Sequence, residues 1–136
     1  MSADHMFAPA SEAELAELVA AHHANGDALR IQGGGTRVAQ DGVAGARLTT
    51  SAIAGVVEYE PGAMTLIART GTPLAEIEAL VTAEGQSLAF EPADMRAAVG
   101  TLGQSTLGGV VATNASGPRR LSVGACRDHL LGLRFV

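Results

Sequence analysis

The sequence predicts an α+β fold: a small mixed β-sheet with flanking helices. Three observations lead there. Short apolar runs of strand length are interleaved with two longer stretches of helical periodicity. The 136 residues amount to one domain, and 47% of them are apolar, enough for a core. Disorder needs low hydrophobicity and high net charge, whereas this chain carries only −5.

The elements follow in order. Residues 11–25 read as a helix: Ser11 and Glu14 have capping-box spacing, and Leu15, Leu18, Val19 and His22 share one face. Asn25-Gly26 stops it. Ala28–Gln32 is a short apolar strand ended by Gly33-Gly34-Gly35. Arg47–Thr50, Val56–Glu60 and Thr65–Thr70 read as further strands, the last two joined through Glu60-Pro61-Gly62. A second helix has Thr72 as its expected N-cap and Pro73 at its first position. Leu74, Ile77, Leu80 and Val81 form its apolar stripe, and Gly85 closes it. Ser87–Phe90 has the composition of a strand, Thr106–Asn114 of a short helix, 115–126 of a loop and His129–Val136 of a terminal strand.

Composition excludes several chemistries. All nine basic residues are arginine, so neither a P-loop nor a lysine Schiff base can form. The single Cys126 excludes an internal disulfide, a thiolate zinc cage and a CxxC pair, and it reads as a small core residue. An acidic chain with four aromatics is a poor partner for nucleic acid. No apolar run approaches the ~18 residues of a membrane span. Met1-Ser2-Ala3-Asp4-His5 lacks the basic and apolar regions of a signal peptide, so the expected setting is the cytoplasm. Charge is uneven: residues 1–94 hold four Arg and thirteen acids, whereas 95–136 hold five Arg and only Asp128. An anion would be drawn to the C-terminal third, unless those arginines are solvated or paired.

Glycine marks two segments. In Ile31-Gln32-Gly33-Gly34-Gly35-Thr36-Arg37 a strand runs into three glycines, a hydroxyl and a cation. Such a run either lets backbone N–H groups converge on an anion, with Thr36 and Arg37 adding donors, or is simply a flexible turn. It is not the Rossmann fingerprint, because Val38 stands at the third glycine position. The second segment, Gly100–Gly117, is rich in glycine and small polar residues around the stripe Leu107, Val110 and Val111. It suggests a helix whose first turn offers free N–H groups to an anion, or else small-residue packing against a sheet. One extended anionic ligand touching both segments is a simple account of the pair. Other constellations are weak. His22 and His23 diverge by about 100° on a helix, and Asp128 and His129 would point to opposite faces of a strand.

Five segments, in order, carry a resemblance. They are Gln32-Gly-Gly-Gly-Thr36, Phe90-Glu-Pro92, Ser105-Thr-Leu-Gly-Gly109, Ala112–Arg120 and Gly124–Arg134. Together they resemble the PCMH-type FAD-binding fold of the vanillyl-alcohol oxidase flavoenzymes, and within it the flavin subunits of bacterial glycolate oxidases. The resemblance implies FAD as cofactor and oxidation of a 2-hydroxy acid such as glycolate by the whole enzyme. It places Gly33, Gly34, Gly35, Thr36 and Arg37 in a first pyrophosphate loop. Pro92, Thr106, Leu107, Gly108 and Gly109 would pass the pyrophosphate towards the flavin, with Thr113, Ser116 and Gly117 in a second wall. Some relatives carry a flavin-linked His where Thr36 stands, so FAD is expected to be non-covalent; Gln32 replaces a frequent Arg.

The same resemblance implies that 1–136 is an incomplete FAD-binding domain. Residues 1–70 would form a first subdomain and 71–136 the start of a second, with the substrate domain and catalytic residues outside. Expected partners are the other subunits of a glycolate-oxidase-type complex, including an iron–sulfur subunit, which could bring the protein to the inner face of the membrane. The rival reading is a non-catalytic module for assembly or self-association.

Overall fold

The computed structural model describes residues 6–37 and 44–136. The N-terminal pentapeptide and Val38, considered above, lie outside the described residues. Three strands form a parallel sheet: β1 (Met6–Phe7), β2 (Leu29–Gln32) and β3 (Ala46–Thr49), in the order β1-β3-β2. Leu29 pairs with Ala46 and Gln32 with Thr49, while Phe7 pairs with Leu48. As the central strand, β3 buries Leu48 and Thr49 on both of its faces. Two antiparallel strands, β4 (Val56–Glu60) and β5 (Thr65–Ala68), form a separate hairpin. The strands expected of one mixed sheet are thus divided into a parallel and an antiparallel sheet, within an α+β arrangement.

Helix α1 (Glu12–Asn25) begins where the capping pattern places it. Ser11 Oγ accepts from Glu14 N at 3.2 Å, and Glu14 Oε2 accepts from Ala10 N at 2.9 Å. Gly26 ends it in the left-handed region at φ 73°. Leu15, Leu18, Val19 and His22 are half-buried. His22 is a core-edge residue: its ring meets Phe7 edge-on at 5.2 Å, and Nδ1 bonds Leu18 O.

Helix α2 (Leu74–Ala83) buries Leu74, Ile77 and Val81, with Leu80 half-covered. Its N-cap is Pro73, not Thr72. The Thr72 hydroxyl is fully buried and otherwise engaged, accepting from Gly55 N at 2.9 Å and donating to Arg69 O at 2.7 Å. It therefore ties the hairpin to the helix instead of capping it. Ser87–Phe90 forms no strand. The chain turns there, Glu91 N bonding Leu88 O, so that Leu88 and Phe90 both enter the core with Leu74, Val110, Ala115 and Cys126.

Three short helices follow: α3 (Arg96–Val99), α4 (Leu107–Ala112) and α5 (Arg120–Val123). α4 lies within the expected 106–114 and is capped by Thr106, whereas α5 occupies one turn of the segment read as loop. The terminal strand is also corrected. Cys126–His129 is a 3-10 turn, and 130–136 pairs with no strand among the described residues, leaving Leu131, Leu133 and Phe135 exposed.

Candidate functional site

A cleft of about 240 Å³ opens beyond the carboxyl ends of β2 and β3. This is where open sheets of parallel strands present their loops to ligands. One wall runs from Arg30 to Arg37. Thr106, Gly108, Gly109, Ala112 and Thr113 form the facing wall, with Thr50 and Thr70 between. The two glycine segments, some 70 residues apart, therefore meet.

Their approach depends on absent side chains. A Cβ on Gly33 would overlap Thr106 Oγ1, and one on Gly34 would overlap the backbone carbonyl of Gln104. Gly103 in turn lies against Gly34 O, and Gly108 against Thr70. No residue with a side chain could keep these backbones together.

The donors are divided unequally. Among the described residues, the N–H groups of Gly33, Gly34, Gly35 and Thr36 find no protein acceptor. At α4 the expectation of free N–H groups fails. Leu107 N donates to Thr72 O at 2.9 Å, Gly108 N to Thr70 O at 2.8 Å, and Gly109 N to Thr106 Oγ1 at 3.3 Å. The first segment can hold an anion, whereas α4 is a packing wall.

Charge agrees with this division. Arg30 and Arg37 line the cleft and, among the described residues, no carboxylate does, in a chain of net charge −5. Arg37 donates through Nη2 to Ala93 O, while its buried Nε has no acceptor among the described residues. Among the same residues the buried Gln32 Oε1 has no donor. The basic C-terminal third is largely neutralised. Arg96 pairs with Asp94, Arg119 with Glu91, Arg127 with Asp128 and Arg134 with Glu12. These contacts hold the Asp94 carboxyl down at about 2 and also lower that of Glu91, in each case chiefly through hydrogen bonds from the paired arginine.

Of the residues expected at the site, Gly33, Gly34, Gly35, Thr36, Arg37, Thr106, Gly108, Gly109 and Thr113 line the cleft. Leu107, Pro92, Ser116 and Gly117 do not. Pro92 borders a second, open groove with Glu91, Val81 and Leu88. Ser116 Oγ accepts from Cys126 N at 3.0 Å, and Gly117 N donates to Phe90 O at 2.8 Å. Sequence reasoning missed Arg30, Thr50 and Thr70, which only the folded arrangement brings to the cleft. Asp128 and His129 do not bond each other. Asp128 Oδ2 accepts from Ala125 N, and His129 Nε2 contacts Val123 O. Cys126 is a buried core residue whose thiol pKa is raised by burial.

A cradle of unpaired backbone donors, flanked by arginine and closed by glycine contacts, defines a domain that holds an anionic nucleotide cofactor. The model of the FAD binding domain family matches residues 3–136, and the chain belongs to that family, whose cofactor is FAD. It is 38% identical over 94 residues to glycolate oxidase subunit GlcE of Escherichia coli (strain K12), a match covering 69% of this chain and 25% of that protein. The chain therefore spans about a quarter of the length of that relative. Two solved structures of alkyldihydroxyacetonephosphate synthase share the fold. One has a TM-score of 0.69 at 24% identity, covering 90% of this chain and 23% of that one. The other has 0.67 at 23%, covering 93% and 24%. The small sheets and helices are those of the N-terminal part of a PCMH-type FAD-binding domain.

The cleft fits part of such a cofactor. The N–H groups and the Arg37 Nε that are unpaired among the described residues require acceptors, which a diphosphate supplies, and the cleft of about 240 Å³ has room for it.

Proposed function

We propose that this chain is the FAD-holding part of a flavin-dependent oxidoreductase that oxidises a 2-hydroxy acid such as glycolate. The observation that carries the binding role is the run of N–H groups from Gly33 to Thr36, unpaired among the described residues, in a cleft lined by Arg30 and Arg37. Likeness to a glycolate oxidase subunit supports the substrate class.

Gly33–Thr36 would bind the diphosphate through main-chain N–H groups, with the Arg37 Nε as a charged donor. Thr106, Gly108, Gly109 and Thr113 would confine it from the other side and exclude water. Thr36 is buried and offers no imidazole, which supports non-covalent attachment. When bound, FAD supplies the acceptor for the substrate's hydride. No catalytic side chain is assigned within this chain. Residues 1–70 and 71–136 would form two subdomains meeting at the cleft, and the complete enzyme would work with further subunits, one of them an iron–sulfur carrier.

Titration of the purified chain with FAD, followed by flavin fluorescence, tests the binding role. Saturable quenching reversed on denaturation is expected; fluorescence indistinguishable from free FAD overturns it. In the assembled enzyme, anaerobic glycolate should bleach the flavin's visible absorbance, and persistent colour with glycolate and other 2-hydroxy acids overturns the substrate class.

A further inference from the structure

The loop that holds the free N–H groups is itself held from one side. The segment 93–104 runs along it and touches it at three places. Ala93 O accepts from the Arg37 guanidinium, Thr101 Oγ1 donates to Thr36 O at 3.1 Å, and the Gly103-Gln104 backbone packs against Gly34. Of these three, the Thr101 contact is the side-chain hydroxyl reaching the main chain of the loop; from β3, Thr49 Oγ1 reaches Gly33 O at 3.4 Å.

Thr101 is well placed to act as a clamp because its own backbone is fixed. Thr101 N donates to Arg96 O at 3.1 Å, and Gly100, at φ 72°, closes α3 just before it. Arg96 is in turn anchored: Nε lies 2.9 Å from Asp94 Oδ1, and Nη2 lies 2.6 Å from Asp94 Oδ2. Arg96 Nη1 also reaches Gly103 O at 3.4 Å. A chain of contacts thus runs from Asp94 through Arg96 and Thr101 to the Thr36 carbonyl.

A peptide plane is rigid, so fixing the Thr36 carbonyl also fixes the N–H of Arg37 on the other side of the same peptide. We infer that Thr101 is a positioning residue for the anion cradle, its hydroxyl setting the orientation of the Thr36–Arg37 peptide and with it the aim of the glycine loop. This rests on the binding role proposed above. Thr101 does not line the cleft, so it would act through the loop and not by contact with the cofactor.

The test compares Thr101→Val, which keeps shape and removes the hydroxyl, with Thr101→Ser, which keeps the hydroxyl. FAD affinity is read by fluorescence, and amide exchange at residues 34–37 is read in ligand-free protein. One neutral hydrogen bond corresponds to a loss of roughly two- to tenfold in affinity. Thr101→Val should show that loss, with faster exchange at residues 34–37, and Thr101→Ser should recover both. Equal affinity in Thr101→Val, or no recovery in Thr101→Ser, overturns the inference and leaves the binding role intact. If the parent chain binds no FAD, the binding role fails; unchanged exchange in Thr101→Val then rejects the clamp separately.

Discussion

Gly34→Ala is the most informative single change. The added methyl would lie far inside the 3.0 Å that real Cβ atoms respect, against the Gln104 carbonyl. Gln104 or the loop must retreat by about 2 Å to reach ordinary contact. Since the obstacle is backbone and not the tip of a flexible side chain, the two segments must part. Forced overpacking of this kind costs about 1–3 kcal/mol, a fall in melting temperature of roughly 3–15 °C. The effect on ligand is larger. Hydrogen bonds to a charged acceptor contribute about 1.5–3 kcal/mol each. Misaiming two of the four donors therefore weakens FAD binding about a hundredfold or more. Gly26→Ala is the control. Nothing lies within 4 Å of its Cβ position, and the φ of 73° alone should cost about 1–2 kcal/mol of stability. Thermal melts followed by circular dichroism, together with FAD titrations below both melting temperatures, separate the cases. A folded Gly34→Ala variant that binds FAD within about twofold of the parent would refute the reasoning.

Three other outcomes follow from local chemistry. Thr106→Val removes the α4 cap bonded to Gly109 N and should destabilise the fold by about 1 kcal/mol in urea unfolding. The Asp94 carboxyl is held at about 2 in the fold by the Arg96 hydrogen bonds, below its ordinary 3.8. Its stabilisation is therefore complete above pH ~4 and disappears as pH falls towards 2; Asp94→Asn should flatten the melting temperature across that window, and equal slopes would count against the pair. Cys126 is buried and its thiol pKa raised, so iodoacetamide should leave it unmodified in the native chain and label it after unfolding.

What could be read in advance was what local chemistry decides. Ser11 and Gly26 bound α1, the stripe of α2 is buried, and α4 falls within 106–114, because caps and periodicity act within a few residues. The glycine segments were visible as composition. Their division of labour was not, since the α4 N–H groups are consumed by Thr70 and Thr72, more than 30 residues away in the chain. Thr72 looks like an N-cap until the hairpin brings Gly55 to its hydroxyl. β1 is two residues long and carries no periodicity of its own; its pairing with β3 creates it. Ser87–Phe90 and 130–136 have strand-like composition but no neighbouring strand, so one becomes a core-filling turn and the other an exposed tail. Likewise, Arg119 and Arg134 find acids far away in the chain, a cancellation invisible in a count.

The central claim is that main-chain donors of the first glycine segment hold the diphosphate while α4 only walls it. Amide chemical shifts of isotope-labelled protein, recorded with increasing FAD, address it residue by residue. The largest changes should fall on Gly33, Gly34, Gly35 and Thr36, with smaller ones at Leu107, Gly108 and Gly109, whose N–H groups are already bonded. Changes centred on α4, or on the groove beside Pro92, with the first segment unmoved, would contradict it.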